Sequence, residues 1–83
     1  MGMSMSKYLR AIPSRHLRTK IRKAARRRGF TMGRIGTENK ISLADAVFEI
    51  QNEREHSHGH DDASVVAMRA VMNQLYDDLG FNE

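Results

Sequence analysis

Residues 15–28 hold eight cations and no acid: Arg15, Arg18, Lys20, Arg22, Lys23, Arg26, Arg27 and Arg28. Such a run attracts a polyanion, and nucleic acid is the commonest one. Guanidinium forks fit phosphate oxygens, and Arg also reads a guanine edge in a DNA major groove. An arginine-rich helix bound to RNA uses the same groups. Isolated charges would read as a solvated surface. Like charges crowded on one helix repel each other, and a polyanion relieves that repulsion. Arg34 continues the series. These nine residues are the candidate nucleic-acid-binding set.

A second cluster is His56-x-His58-x-His60-Asp61-Asp62. Imidazole and carboxylate at that spacing offer ligands to Zn²⁺, Ni²⁺ or Cu²⁺. The run contains Gly59, and no supporting groups are visible for it. His56, His58 and His60 are therefore weak metal candidates in a polar connector, and no metal or other cofactor is expected. The chain has no cysteine, which rules out disulfides and thiolate zinc sites. It also lacks an HExxH pair and a phosphate-cradling Gly-rich loop with lysine. The expectation is a protein that is not an enzyme.

The formal net charge of +4 conceals a strong polarity. Residues 1–40 carry twelve Lys and Arg against one acid, a net of +11. Residues 41–83 carry two against nine acids, a net of −7. A basic half and an acidic half suggest a nucleic-acid face joined to a solvated or partner-binding face. No apolar run is long enough to span a bilayer. Residues 1–6 lack the apolar core of a signal peptide and are expected to be frayed. These features together predict a cytoplasmic protein with no membrane partner.

The elements that must position these groups are legible in the hydrophobic pattern. Residues 7–12 suit a short helix carrying Tyr8, Leu9 and Ile12, with Pro13 closing it or opening the next. Ser14 suits the N-cap of a basic helix over residues 15–28, and Gly29 its stop. At about 100° per residue, Leu17, Ile21, Ala24 and Ala25 share one apolar arc, and the cations fan over the rest. Arg28 alone intrudes on that arc, where its long stem can snorkel out.

Gly33, Gly36 and Asn39 interrupt regular helix, so residues 30–40 read as a loop, a short irregular helix or a small hairpin using Thr31, Met32 and Ile35. Ser42 and Asp45 have the spacing of a helix start. Downstream, Leu43, Ala46, Val47 and Ile50 share a face, and the helix is expected to end near Glu55. Residues 56–62 form the connector, and Asp61 or Asp62 caps the next helix. There Val65, Met68, Val71, Met72, Leu75, Tyr76 and Leu79 make a wide apolar stripe before Gly80. The fold class is a small all-α single domain of three or four helices, with an antiparallel hairpin over residues 42–79 and a possible minor β element after residue 29. The stripes are large for 83 residues, which allows a homodimer.

Ala25, Gly29, Phe30 and Ile35 add a resemblance. In the stretch IRKAARRRGFTMGRIGTENK over residues 21–40 their spacing resembles that of the helix-turn-helix DNA-binding proteins. The resemblance spans about a quarter of the chain, and Arg28 stands where that pattern has an apolar residue. It implies that Thr31, Met32, Arg34 and Thr37 lie at or near a DNA groove, and it favours DNA over RNA. The expected function is a small non-enzymatic nucleic-acid-binding regulator. The alternative is an interaction protein that inhibits or adapts a nucleic-acid enzyme or ribonucleoprotein through its basic face, for example a mobile-element protein.

Overall fold

The computed structural model describes residues 5–34 and 36–81 and folds them into α1 (Ser6–Arg10), α2 (Arg15–Arg27), α3 (Thr37–His58) and α4 (Ala63–Leu79). No strand occurs among the described residues, so the stretch after Gly29 takes the loop alternative. Ile35 lies outside the described residues, as do 1–4 of the segment expected to fray. Met5 and Ser6 depart from that expectation. Met5 is fully buried and Ser6 opens α1.

Local chemistry sets the bounds of α2. The Ser14 hydroxyl accepts the Leu17 N–H at 3.2 Å, satisfying one of the free donors of the first turn. At the other end Gly29 takes φ +93°, which an L side chain rarely adopts. There the Gly29 N–H bonds the Arg26 carbonyl and the Phe30 N–H bonds the Ala25 carbonyl, both at 3.0 Å. This is a Schellman closure, and Phe30 and Ala25 supply its buried apolar contact. The same device closes α4. Gly80 sits at φ +83°, the Phe81 N–H reaches the Tyr76 carbonyl at 2.8 Å, and the two rings lie 6.0 Å apart.

The start of α3 differs from the sequence expectation. It begins at Thr37, so Ser42 and Asp45 lie inside the helix and form no cap. Ser42 instead donates its hydroxyl to the Arg28 carbonyl at 2.9 Å, fastening α3 to the end of α2. Asn39, read as an interruption, is what allows the earlier start. It is buried and lies in the first turns of α3. Its Oδ1 accepts the Thr31 N–H at 2.9 Å, and its Nδ2 donates to the carbonyls of Thr31 at 2.8 Å and Arg34 at 2.6 Å. One side chain thus serves three backbone groups of the preceding loop, of which the Thr31 carbonyl also accepts the Arg34 N–H at 3.1 Å.

α3 also runs further than expected, to His58, so the link to α4 is only residues 59–62. Asp62 caps α4 by accepting the Ser64 and Val65 N–H groups, and it is paired with Arg54 of α3 at 3.1 Å. Those donors hold its carboxyl below the usual range, with the Arg54 hydrogen bond the largest cause.

α3 is the central helix, with α2 packed on one side and α4 on the other, while α1 rests on α4. Leu17, Ile21, Ala24 and Ala25 of α2 are all buried, as their shared arc requires. They meet Leu43, Ala46, Val47 and Ile50 of α3 and Met68, Val71, Met72 and Leu75 of α4 in one core. Of the α4 stripe, Val65, Met68, Val71, Met72 and Leu75 are buried, and Tyr76 and Leu79 are half-buried. Tyr8 anchors α1 by donating its hydroxyl to Asp78 of α4, and Lys7 pairs with the same carboxylate at 3.6 Å. Burial, then that hydrogen bond and the Asp78 charge, raise the phenol well above its ordinary range. The same bond, helped by Gln74 and Lys7, holds Asp78 low despite its burial.

Candidate nucleic-acid interface

The fold divides the cations of residues 15–28 into two groups. Arg18 folds back along the chain, and its guanidinium donates to the carbonyls of Ile12 at 2.6 Å and Pro13 at 2.9 Å. Lys20 reaches Glu53 of α3 at 3.2 Å. Arg27 reaches Glu49 of α3 at 3.5 Å. Arg28, the cation that intrudes on the apolar arc, escapes sideways to Glu49 and to the carbonyl of Ala24. These four are tethered within the molecule. Arg28, then Arg27 and Lys20, hold the Glu49 carboxyl below its usual range against the opposing effect of burial.

The other four, Arg15, Arg22, Lys23 and Arg26, make no side-chain hydrogen bond or ion pair among the described residues. At about 100° per residue they fall within an arc of about 100° opposite the buried one, with Thr19 between them and His16 just beyond its edge. From Arg15 to Arg26 the stripe is about 16 Å long, on the order of half a turn of duplex. Arg34 is exposed in the loop before α3, and its own carbonyl is held by Asn39. Thr31 and Met32 share that loop, and Thr37 is the first residue of α3. The positions at which a groove contact was expected are thus mostly in a fastened loop. The next helix starts at Thr37.

Two features of the stripe are unfavourable within the isolated chain. Arg15 sits in the first turn of α2, at the positive end of the helix dipole, and that turn has no acid. Arg22 and Arg26 are one turn apart, where like charges cost about 0.2–0.5 kcal/mol. The carboxylates Glu49 and Glu53 are spent on the tethered edge instead.

The histidines are dispersed. His56 and His58 lie in the last turn of α3, and His60 follows in the link, 3.3 Å from Asp61. The His58 ring nitrogen Nδ1 lies 2.9 Å from the Ser57 hydroxyl. Among the described residues no three His, Asp or Glu side chains come together as a metal-binding group. A cleft of about 530 Å³ lies between α1 and α4, lined by Lys7, Tyr8, Ala11, Ala67, Ala70, Val71 and Gln74. None of its lining residues belongs to α2.

Sequence reading missed the acids that sort the cations. Lys20 and Arg27 are two turns apart on one edge of α2, and Glu49 and Glu53 are one turn apart on α3. That pairing of periodicities was the available signal, but it has meaning only once the two helices are known to be antiparallel neighbours. Among the described residues no helix is long and apolar enough to cross a membrane. Comparison with known protein families, with curated proteins and with solved structures finds no match to this chain.

Proposed function

We propose that this chain is a non-enzymatic nucleic-acid-binding protein that grips the phosphate backbone with the outward stripe of α2. The supporting observation is the sorting of charge. Four cations share one outward arc, Arg22 half-buried and the others exposed, with no carboxylate among the described residues to relieve them, while neighbouring cations are tethered to α3. A polyanion removes both the mutual repulsion and the conflict of Arg15 with the helix dipole. Guanidinium groups favour phosphate through paired N–H donors. The stripe has no Phe, Tyr or Trp to stack bases on, so phosphate contacts carry the proposal, and any base it reads would be guanine through Arg. Duplex DNA is the first ligand to test, and a small regulator that acts by occupying DNA is the role this would serve.

The test is direct binding of a labelled duplex, DNA and RNA in parallel, at low salt. Arg15→Gln/Arg22→Gln/Arg26→Gln should lose most of the affinity while keeping the parent's thermal midpoint. If the triple variant binds both duplexes as tightly as the parent, the proposal fails.

A further inference from the structure

We infer that the outward ridge of α3 is a docking surface for a protein segment that carries apolar side chains flanked by Lys or Arg. Glu38, Ile41, Asp45, Phe48 and Asn52 follow one another at alternating steps of three and four residues, so they form a single stripe. The stripe runs between the two packed edges of α3. One edge holds Ser42, Glu49 and Glu53 against α2, and the other holds Arg54 and Glu55 toward α4. From Glu38 to Asn52 the ridge is about 21 Å long, close to four helical turns.

Two independent observations mark it. Ile41 is 38% exposed and Phe48 49%, two of the few large apolar side chains left in water. One exposed apolar residue is ordinary on any surface. Here the two are i and i+7 on one ridge, the spacing of anchors in helix recognition. The second observation is electrostatic. Glu49, Glu53, Glu55, Asp62 and Asp78 each have a cation or a hydrogen-bond donor. Glu38 and Asp45 have no side-chain partner among the described residues, although the chain carries unpaired Arg and Lys elsewhere. The unpaired acids therefore alternate with the exposed apolar residues.

That alternation selects the occupant. A second copy packing ridge to ridge about a two-fold axis at Asp45 would set Ile41 against Phe48, but it would also oppose the two Asp45 carboxylates. The chain's own α2 stripe would supply cations, yet it has no large apolar side chain to cover Phe48. A foreign segment with both features satisfies the ridge, and it leaves the α2 stripe free.

The test uses the full chain, labelled with ¹⁵N, and three synthetic helical peptides of about 18 residues, long enough to hold helix. One places Leu at helical spacing between Lys residues. The second replaces Leu by Ser, and the third replaces Lys by Glu. The Leu–Lys peptide should shift the amide signals of Ile41, Asp45 and Phe48, and the other two should leave them in place. Asp45→Lys and Phe48→Ser should each weaken that binding by about tenfold, the scale of a modest interface anchor. Phe48→Ser leaves the charge unchanged and should bind duplex as the parent does, so this inference and the nucleic-acid reading fail separately. Asp45 is exposed, so Asp45→Lys carries the test alone if Phe48→Ser unfolds. No shift at the ridge, shifts confined to the cleft between α1 and α4, or unchanged binding by Asp45→Lys would each overturn the inference. So would a dimer in sedimentation that Phe48→Ser dissolves, since the occupant would then be a second copy.

Discussion

Salt dependence separates the outward cations of α2 from the tethered ones. If Arg15, Arg22, Lys23 and Arg26 each neutralise one phosphate, the slope of log K against log salt on duplex DNA is about −3.6. Raising salt from about 50 to about 200 mM then weakens binding about 150-fold. Arg15→Gln/Arg22→Gln/Arg26→Gln leaves one contact, a slope near −0.9 and only about a 3.5-fold loss over the same range. Lys20→Gln/Arg27→Gln also removes cations from α2, but from the edge held by Glu53 and Glu49. Its slope should stay within about 0.5 of the parent's.

Glu49→Gln provides the converse. It keeps the size of the side chain but releases Arg27 and Arg28 from their carboxylate. Exposed ion pairs of this kind hold by only about 0.2–1 kcal/mol, so the freed groups can turn to phosphate. The slope should steepen toward about −5.4. Fluorescence anisotropy of a labelled duplex at several salt concentrations measures all four proteins, and circular dichroism confirms that each is folded. An outward triple variant with a slope still near −3 would refute the division of labour. So would a tethered double variant that flattens the slope more than the triple.

Three further outcomes test the fold. Leu75 is wholly buried, so Leu75→Ala should cost about 2–5 kcal/mol, and a fall in melting temperature below about 3 °C would place it outside the core. Asn39→Ala takes their Asn39 partner from the Thr31 N–H and the Arg34 carbonyl and should cost about 1–3 kcal/mol, with faster amide exchange at Thr31 as its specific sign. Stability should also decline at both ends of the pH range, as equilibrium denaturation at a series of pH values would measure. Asp78 and Glu49 are held low in the folded state, so their contribution is complete above their unfolded values and is lost as pH falls below about 4. Tyr8 is held high, so its contribution is complete below about pH 10 and is lost as pH rises beyond. Tyr8→Phe should flatten the alkaline decline and shrink the acid one toward the part carried by Glu49, because the same hydroxyl holds Asp78 low, and an unchanged alkaline limb would contradict the assignment.

The parts of this fold that were legible in the sequence are those that depend on near neighbours. Ser14, Gly29, Asp62 and Gly80 act through groups within five residues of themselves, and helix ends can be read from such residues. The buried arc of α2 follows from its period alone. Asn39 shows where such reading fails. Its type favours interruption when considered locally, because its amide competes with the backbone for hydrogen bonds. In the fold that same amide bonds to a loop up to eight residues away and lets α3 begin earlier.

The candidate interface was half legible for a related reason. The sequence places eight cations on one helix, and composition cannot rank them. Their ranking comes from α3, where Glu53 and Glu49 meet Lys20, Arg27 and Arg28 across 21–33 residues of chain. An acid at either position changes how many cations α2 presents without changing α2 at all. The number of outward cations is therefore a property of the helix pair. Mutations at Glu49 should alter affinity for nucleic acid although Glu49 itself would be repelled by it. That consequence distinguishes this arrangement from a simple basic helix, in which only the cations themselves would matter.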